Sequence, residues 1–519
     1  MRRTTTAMTS LTRPRAIAVV AVLSIAVISL PVRAQPHHAA SRSFRAATPA
    51  IEDAGGRVVV LHGFNMVWKV APYYPPSSIY PAPFRVPEDK SYFDARDAGL
   101  LEQHGFNVVR LGLIWKGLEP SRGVFNQDYL DRMSDLIDLL RRYGINVLLD
   151  FHQDMANEAF QGEGFPDWAI HTGVDTPAGE IASVPATNCC GFPGNYFTPA
   201  VGRVFDNIWT NSFGLWSAYA DAWAHVAARL GSKRNVIGYD VMNEPWPGTQ
   251  WPTCAVPLGC PAFDNGFLQP FFERVATAIR AVQPSGIVFW EPPVMNDFGT
   301  QNTVGLLHPF ADPNNGISFH DYCLIGGQFV QQLSRADDPE CQQTEPITVQ
   351  NQQAAGARNG SALALTEFGA SDDLVEIARV KALADTPSIS WFFWQYQGWS
   401  DPTGNPAGEG MSAKDDQRRF ATIKQAKLAL LTETYPQAIA GFSPSWGSSG
   451  GVFTLTYAAA RTAPAITEIF VDPEGAPQGF SAVASGASRV ACPVARAAVI
   501  CFRNATSSGR VSITIRPNK

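Results

Sequence analysis

The sequence predicts an α/β protein whose main body is a (β/α)8 TIM barrel with long βα loops, followed by a small C-terminal β-sandwich. Three observations support this fold class. Eight short β-rich runs lie between about residues 50 and 430, segments of helical periodicity separate them, and helical patterning ends after about residue 435. The runs show little alternation of apolar and polar residues, which is typical of parallel strands buried on both faces.

The barrel is predicted over residues 50–430. Its strands are the runs Val58–Leu61, Val108–Leu113, Asn146–Phe151, Val236–Met242, Gly286–Trp290, Gly316–His320, Ala362–Thr366 and Ile389–Trp394. The clearest helical segments between them are Leu130–Tyr143, Leu215–Leu230 and Phe267–Val282. A doubly wound open sheet is the alternative, but it would place a Gly-rich phosphate-binding turn after the first strand, and His62-Gly63-Phe64-Asn65 is not one.

The barrel region is longer than the ~250 residues typical of this fold, so the surplus is predicted to lie in long loops. The three longest are Phe160–Arg203, Pro245–Asn265 and Tyr322–Glu345. Each follows a predicted strand, which places it at the C-terminal face, where barrel enzymes bind their substrates.

Residues 435–519 are predicted to form the β-sandwich. Short β-like runs split by Gly, Pro and Ser carry this prediction, and they are Trp446–Tyr457, Ile466–Val471, Gly479–Ser485 and Val511–Ile515. Packing against the barrel and binding of sugar are the two roles open to such a domain.

Residues 1–34 have the features of a signal peptide. Four arginines precede an apolar run from Ala16 to Leu30, and Val32-Arg33-Ala34 offers a cleavage site. The run is shorter than the ~20 residues of a membrane span. We therefore expect a secreted, extracellular protein, with an uncleaved anchor as the alternative.

The eight cysteines fit an oxidising compartment. Three pairs close in sequence are predicted to form local disulfides, namely Cys254/Cys260, Cys323/Cys341 and Cys492/Cys501. The partners of the adjacent Cys189 and Cys190 stay open.

The amino-acid composition limits the kinds of molecule that the protein is expected to bind. The net charge is −6 and no block of Lys and Arg follows the first fifteen residues, which argues against nucleic acid. Hydrophobic residues make up 45% and charged residues 17%, enough apolar material for a large core. Aromatic residues make up 11%, which suits contacts with sugar or lipid as well as core packing.

Polar residues stand near the ends of the predicted strands, at the face where barrel active sites lie. In chain order they are His62, Asn65, Arg110, His152, Asp154, Asn243, Glu244, Glu291, His320, Tyr322, Glu367, Trp394 and Gln395. Glu244 and Glu367 end the fourth and seventh strands, so their side chains can converge across the barrel mouth. Cleavage of an acetal linkage needs such a pair, one carboxyl group as acid and one as nucleophile or base.

The neighbours of the two glutamates strengthen this interpretation. Pro245 stops the strand, so that Asn243 and Glu244 project into the mouth, and Glu367 faces Trp394, on which a sugar ring could stack. Capping of a helix or pairing with Arg110 is the plainer alternative for a single glutamate. Glu291 could exchange roles with Glu244, but no Asn precedes it.

Several motifs carry a family resemblance. YDVMNEP at residues 239–245 and TEFG at residues 366–369 resemble glycoside hydrolase family 5, in the clan of retaining (β/α)8 hydrolases. HGFNMVWK, GFNVVRLGLIWKGLEP, DFHQDM, GNYF and YPQAIAG more narrowly resemble endoglycoceramidases, from about residue 55 to the C-terminal domain. The resemblance implies an enzyme that cleaves the glycan–ceramide linkage of glycosphingolipids and releases the intact oligosaccharide and ceramide.

The resemblance also implies roles for individual residues. Glu244 would be the acid/base and Glu367 the nucleophile, whose charge keeps Glu244 protonated. Arg110 and His320 would support the nucleophile, with Tyr322 as a further hydrogen-bond donor to it. The substrate-binding residues implied are Lys69, His152, Asp154, Asn243, Tyr322, Trp394 and Gln395.

We expect neither a cofactor nor a metal. The nine histidines are dispersed and form no HExxH motif, and the cysteines form no pair at zinc spacing. Asp150, His152 and Asp154 alternate, which would allow a cation only if they share one face. The chain contains no GxSxG motif for a nucleophilic serine.

The loops could supply an apolar surface for a lipid aglycone or could simply pack onto the barrel. Their large apolar residues are Phe160, Phe165, Phe192, Phe197, Trp246, Trp251, Leu258, Phe263 and Trp399. The second hypothesis, after the endoglycoceramidase, is a family 5 polysaccharide endo-hydrolase of the cellulase or mannanase type. The third is a non-catalytic carbohydrate- or lipid-binding protein. A simple lipid β-glucosidase is a variant of the first hypothesis. We expect transient contact with lipid micelles or a membrane surface; the oligomeric state stays open.

Overall fold

The computed structural model describes residues 44–84, 92–175, 181–183, 189–322, 324–325, 328–329, 339–399, 401–404, 406–412, 423–460 and 466–518. The predicted signal peptide lies outside these residues, as does Cys323. In the ranges given, none of the helices has the length and apolar character needed to cross a membrane.

Three short strands, β1 (Arg45–Ala47), β2 (Ala50–Glu52) and β3 (Val58–Val59), precede the barrel. β3 pairs with residues of the C-terminal domain, so the prediction that Val58–Leu61 is the first barrel strand is wrong. That strand is β4 (His62–Met66). The valine run has the higher β propensity, but barrel closure needs Gly63, where a Cβ atom would lie 1.8 Å from the carbonyl oxygen of Val108.

Eight parallel strands close into a barrel, which confirms the predicted fold class. The other seven are β5 (Val108–Leu113), β6 (Asn146–Phe151), β7 (Val236–Asp240), β8 (Ile287–Trp290), β9 (Asn315–Asp321), β10 (Ala362–Phe368) and β11 (Ser390–Phe393). Neighbouring strands pair in chain order and β11 pairs with β4. All residues of β7 to β11 are buried, which explains the continuous apolar runs in the sequence.

Helices surround the barrel. The longer ones are α1 (Ala95–Gln103), α2 (Gln127–Arg142), α3 (Pro199–Trp209), α4 (Leu215–Leu230), α5 (Gln269–Val282), α6 (Pro339–Asn359), α7 (Leu374–Asp385) and α8 (Gln425–Leu431). Single turns and small hairpins lie in the loops, at Trp115–Leu118, Gly173–Asp175, Ile181–Ser183, Gly191–Gly194, Trp251–Cys254, Pro261–Phe263, Leu324–Ile325, Gln328–Phe329 and Pro406–Glu409. α2 shows how the sequence sets an end: the Asn126 side chain accepts a hydrogen bond from the Tyr129 N–H and caps the first turn.

The C-terminal domain consists of two antiparallel sheets. Its strands are β12 (Tyr435–Ile439), β13 (Gly441–Ser449), β14 (Val452–Ala459), β15 (Ile466–Phe470), β16 (Phe480–Ser485), β17 (Ala487–Val490), β18 (Val499–Asn504) and β19 (Arg510–Pro517). One sheet has the order β1-β2-β3-β12-β15-β18-β17 and the other β13-β14-β19-β16. The predicted run Trp446–Tyr457 is therefore parts of two strands, joined by a turn at Gly450 and Gly451, both with positive φ.

The domain packs against the amino-terminal end of the barrel. His62 begins β4 there, and its ring stacks between Trp391 at 4.3 Å and Tyr435 at 3.9 Å, measured between ring centroids. The Tyr435 hydroxyl donates to the carbonyl oxygen of Gly105 at 2.6 Å. His62 is therefore at the opposite end of the barrel from the strand ends considered for the site, because the first strand begins four residues later than predicted.

Two predicted disulfides, Cys254–Cys260 and Cys492–Cys501, are present. The predicted Cys323–Cys341 pair includes a residue outside the described ranges. Cys189 and Cys190, whose partners the sequence left open, are bonded to each other.

Candidate active site

Glu244 lies in a turn just past β7, at the carboxyl end of the barrel. Its Oε1 is 2.9 Å from Nδ1 of His320, which lies on β9. Its backbone has a φ of +43°, in the left-handed region that side chains with a Cβ rarely adopt. The side chain is thus held at the mouth by a strained turn and by an imidazole.

Glu367 reaches the same space from β10. Its Oε1 accepts a hydrogen bond from Nη1 of Arg110 at 2.6 Å, and its Oε2 accepts one from the Tyr322 hydroxyl at 3.1 Å. Both donors stabilise the ionised carboxylate.

The two carboxyl groups are close to each other. One oxygen of Glu244, one oxygen of Glu367 and one ring nitrogen of His320 all lie within 4.8 Å of one another. Retaining glycosidases place their carboxyl groups ~5–5.5 Å apart, whereas inverting ones need ~6.5–9.5 Å to fit a water molecule beside the sugar. The geometry is that of direct attack by one carboxylate and protonation by the other carboxyl group.

Burial shifts the titration of all three groups. It raises the pKa of Glu244 to about 8, with the charge of Asp154 adding to the effect. It raises the pKa of Glu367 to about 7, while His320 and Arg110 oppose the rise. Burial lowers the pKa of His320 to about 4, so this imidazole is neutral. Arg110 and the Tyr322 hydroxyl both donate to Glu367. The near partner of Glu244 is instead the imidazole of His320, so Glu367 ionises more readily than Glu244, the order that a nucleophile and an acid require.

Arg110 lies at the centre of the barrel and is completely buried. Besides Glu367 it contacts Asp240 through Nε at 2.8 Å, Asp150 through Nη2 at 3.0 Å and the amide oxygen of Asn243 at 2.9 Å. Desolvation opposes its charge, but the surrounding carboxylates raise the pKa of Arg110 well above its ordinary value. The guanidinium thus binds together strand ends from several sides of the barrel.

A second polar cluster lies beside the first, around Lys69. Its ammonium group contacts Asp154 at 2.8 Å, Thr403 at 2.6 Å and Asp401 at 3.0 Å. The same nitrogen lies 4.6 Å from the centre of the Trp394 ring. These hydroxyl, carboxylate and ammonium groups are of the kind that bind sugar hydroxyls.

Gln395, two residues after the end of β11, joins the Lys69 cluster. Its amide nitrogen donates to Asp401 at 3.3 Å and to Glu409 at 3.2 Å. Glu409 also accepts from the indole N–H of Trp394 at 3.3 Å. The loop after the eighth strand therefore supplies part of the site.

Comparison with known proteins decides the family. The family described as Cellulase (glycosyl hydrolase family 5) matches residues 90–400, and the glycoside hydrolase family 5 C-terminal domain matches residues 434–515. The chain belongs to glycoside hydrolase family 5. It is a glycoside hydrolase of the retaining type, in agreement with the short distance between Glu244 and Glu367.

Relatives of this family 5 enzyme include Endoglycoceramidase I of Rhodococcus hoagii (strain 103S), 32% identical over 475 residues, covering 89% of this chain and 86% of the relative. Solved structures of endo-glycoceramidase II from Rhodococcus sp. are also similar. Its ganglioside GM3 complex has a TM-score of 0.72 at 26% identity and covers 91% of this chain and all of that one. Its lactosyl-enzyme intermediate has a TM-score of 0.71 at 27% identity and covers 90% and 99%.

The structure brings together the site residues that the sequence predicts. Glu244, Glu367, Arg110, His320, Tyr322 and Asn243 form one cluster, and Lys69, Asp154, Trp394 and Gln395 form the adjacent one. His152 lies between them: its Nδ1 is 2.9 Å from Asp150 and its ring stacks on Trp394. Their roles in catalysis and sugar binding stay predictions.

Two predicted site residues make contacts that differ from expectation, and two further residues of the site were missed. His320 makes its close contact with Glu244, and its Nε2 is 3.5 Å from Glu367. The amide of Asn243, expected to contact a sugar, is engaged with Arg110 and with the carbonyl oxygen of Gln153. Sequence reasoning missed the loop residues Thr403 and Glu409, because they follow no periodic pattern.

Histidine and carboxylate groups with metal-like spacing occur in three places among the described residues, and each already contains a basic side chain. They are His62 with Asp385 and Glu433, His152 with Asp154 and Glu163, and Glu244 with His320 and Glu367. Lys381, Lys69 and Arg110, respectively, form the ion pairs there. Each cluster thus contains a carboxylate that is already paired with a side-chain cation.

The pKa order predicts the pH profile. The predicted roles require ionised Glu367 and protonated Glu244, so kcat/KM should fall as pH decreases through the pKa of Glu367 and as it rises through that of Glu244. On an aryl glycoside with a good leaving group, Glu244→Gln should keep the acidic limb and lose the alkaline one. Loss of the acidic limb in that variant would contradict the assignment.

Proposed function

We propose that the enzyme is an endoglycoceramidase, which cleaves the bond between the glycan and the ceramide of glycosphingolipids and releases both intact. Glu367 attacks the anomeric carbon while Glu244 protonates the departing ceramide oxygen. Glu244 then takes a proton from water, which attacks the glycosyl-enzyme and regenerates Glu367. The 32% identity to an endoglycoceramidase over nearly the whole chain supports this substrate class.

An aromatic path beside Glu244 is the observation that carries the proposal. Tyr196 donates to Asp154 at 3.3 Å, and its ring lies 5.0 Å from that of Trp246, two residues after Glu244. Trp251 stacks on Trp246 at 6.0 Å, and the Phe197 ring meets Trp251 at 4.9 Å. Because Glu244 is the residue that protonates the leaving group, an apolar path at its side lies where the aglycone departs.

The path ends at the surface. Phe197 is 50% exposed and Trp251 is partly exposed, whereas Tyr196 and Trp246 are buried, as are loop aromatics outside the path such as Phe160 and Phe263. Acyl and sphingosine chains gain about 25 cal/mol for each Å² of apolar surface that they bury, so an exposed aromatic edge can bind them. It also provides a point of contact with a micelle or membrane that holds the lipid.

The decisive experiment supplies the purified protein with a fluorescent ganglioside and, separately, with a soluble β-glucan. Ceramide together with the intact oligosaccharide is the expected product, with the glucan left uncut. Cleavage of the glucan alone would transfer the assignment to polysaccharides. Release of single sugars from the outer end of the glycan would also overturn it.

Phe197 offers a test of the aglycone path. We expect Phe197→Asp to lower kcat/KM on the glycolipid about tenfold, since losing one well-placed aromatic contact costs on the order of 1–2 kcal/mol. A soluble aryl glycoside of the same sugar should be cleaved normally. Phe442→Asp is the matched control, because Phe442 is 56% exposed on the C-terminal domain. Equal losses in the two variants would argue against the path.

We also propose that the protein is secreted after cleavage of the segment at residues 1–34. The basic start, the short apolar run and the small residues after it support this localisation. Mass spectrometry of the protein recovered outside the producing cells, with a start near residue 35, is the measurement; an intact first segment would indicate an anchor.

A further inference from the structure

The barrel ladder of hydrogen bonds reaches the turn that carries Glu244 only as far as Asn243, whose N–H donates to the carbonyl oxygen of Phe151 at 3.0 Å. β7 ends at Asp240, and Pro245, which follows Glu244, has no N–H to donate. Glu244 itself adopts a φ of +43°, which is disfavoured for any residue with a Cβ atom. Its buried backbone groups therefore need partners from side chains, and the conformation needs external support.

Gln153 supports the turn from the side of β6. Its amide nitrogen donates to the carbonyl oxygens of both Asn243 and Glu244, at 2.9 and 3.0 Å. Its amide oxygen accepts from the N–H of Ala156 at 3.1 Å, which fixes the orientation of the amide. Gln153 is buried, so water does not replace these bonds.

Glu291 supports the turn from the side of β8. Its Oε1 accepts a hydrogen bond from the backbone N–H of Glu244 at 3.0 Å. The side chain is fully buried, and burial raises the pKa of Glu291 well above its ordinary value. Its Oε1 faces the backbone of Glu244, so Glu291 acts on this residue as an acceptor of its N–H.

We propose that Gln153 and Glu291 are positioning residues, which clamp both sides of the Glu244 backbone and so aim its carboxyl group at the leaving oxygen. The proposal rests on the proposed acid/base role of Glu244. Gln153 holds the carbonyl side and Glu291 the N–H side of one strained residue. If the hydrogen bonds of Gln153 or that of Glu291 are lost, the turn relaxes and the carboxyl group of Glu244 moves. Displacement of a catalytic group by about 1 Å can cost a hundredfold in rate.

The test uses two soluble β-glycosides of one sugar, one with an alkyl and one with a dinitrophenyl leaving group. An alkyl alcohol needs a proton to depart, whereas dinitrophenolate does not, so only the alkyl substrate depends on a correctly aimed acid. We expect Gln153→Met, which keeps the volume and removes the donor, to lower kcat/KM on the alkyl glycoside about 30- to 100-fold. On the dinitrophenyl glycoside the loss should be under about threefold.

Gln437→Met is the matched control. Gln437 is also buried and its amide also donates to a backbone carbonyl, that of Gly105 at 2.9 Å, but at the amino-terminal end of the barrel. Both variants lose a buried amide donor and some stability. Only the Gln153 variant should change the ratio of the two kcat/KM values.

Two outcomes would overturn the clamp: an equal loss on both substrates, which indicates general damage, or no loss on the alkyl glycoside. Glu244→Gln, measured on the same two glycosides, tests separately whether Glu244 is the acid/base. If it shows no dependence on the leaving group, the acid/base role of Glu244 fails and the clamp fails with it. Should Gln153→Met not fold, Glu291→Leu should show the same selective loss, and Glu291→Gln, which retains an acceptor oxygen, should recover part of it.

Discussion

Glu367→Gln should lower hydrolysis of every substrate roughly 10⁴-fold or more, the scale on which removal of an enzyme's nucleophile acts. The amide keeps the size of the side chain and an oxygen that can accept from Arg110, but its NH2 group replaces the oxygen that accepts from Tyr322, and it cannot attack the anomeric carbon. Unlike a variant of Glu244, this one should not be helped by a good leaving group. Measurement of kcat/KM on a glycolipid and on a dinitrophenyl glycoside tests both expectations.

Covalent trapping tests the assignment of Glu367 as the nucleophile without a measurement of rates. A 2-deoxy-2-fluoro glycoside with a good leaving group slows the second step of a retaining enzyme more than it slows attack, so the glycosyl-enzyme accumulates. We expect mass spectrometry to find the label on the peptide that contains Glu367 in the wild type and no label in Glu367→Gln. A label on Glu244 or Glu291 would reassign the nucleophile.

Glu468→Gln is the matched control for these experiments. Glu468 is likewise buried and paired with an arginine, with its Oε1 2.7 Å from Nη1 of Arg57, but it lies in the β-sandwich. This variant should lose stability and keep its activity. Equal inactivation of both variants would mean that a lost buried ion pair, not a lost nucleophile, explains the effect.

The sequence predicted the barrel and its pair of carboxylates because both leave strong local signals. Seven of the eight strands fall where predicted; Glu244 lies four residues after one of them, and Glu367 is the last but one residue of another. The first strand was misplaced because the true strand, His62–Met66, is less apolar than the run Val58–Leu61. Its pairing with β12 depends on residues almost 400 positions away, which local pattern does not reveal.

The contacts between site residues were harder to predict than the residues themselves. Asn243 and His320 were expected to bind substrate and nucleophile, yet their near neighbours are Arg110 and Glu244. Glu291 was considered only as a rival to Glu244, although it accepts the N–H of that residue. Such hydrogen bonds depend on the strained turn at Glu244, and no residue type in the motif indicates a positive φ there.

Arg110→Met should lower the stability of the protein strongly. A buried cation that faces several carboxylates leaves uncompensated buried charge when removed, which costs about 3–5 kcal/mol in the free energy of unfolding. Denaturant unfolding at neutral pH measures this. Activity should be lost as well, because Glu367 loses the donor at 2.6 Å that favours its ionised form.

Arg57→Met is the control that separates the loss of stability from the loss of activity. Arg57 is also buried and paired, with Asp53 at 2.8 Å and Glu468 at 2.7 Å, but both pairs lie away from the barrel mouth. The two variants should be destabilised to a similar degree, while only Arg110→Met should be inactive under conditions in which it is folded. An active Arg110→Met would show that Tyr322 and His320 suffice to hold the nucleophile.

The pH dependence of the Arg110→Met defect identifies its cause. Without the guanidinium, the carboxyl groups that faced it bind protons more tightly in the folded variant than in the folded wild type, where the pKa of Glu367 is already about 7. The unfolded chains titrate alike, so the folded variant carries more protons than the folded wild type, and its free energy of unfolding relative to wild type must fall as pH rises through about 7. We expect the deficit to be larger at pH 8 than at pH 5. A deficit independent of pH would mean that the lost stability comes from packing and hydrogen bonds of the arginine side chain, and that its charge is not what holds the strand ends together.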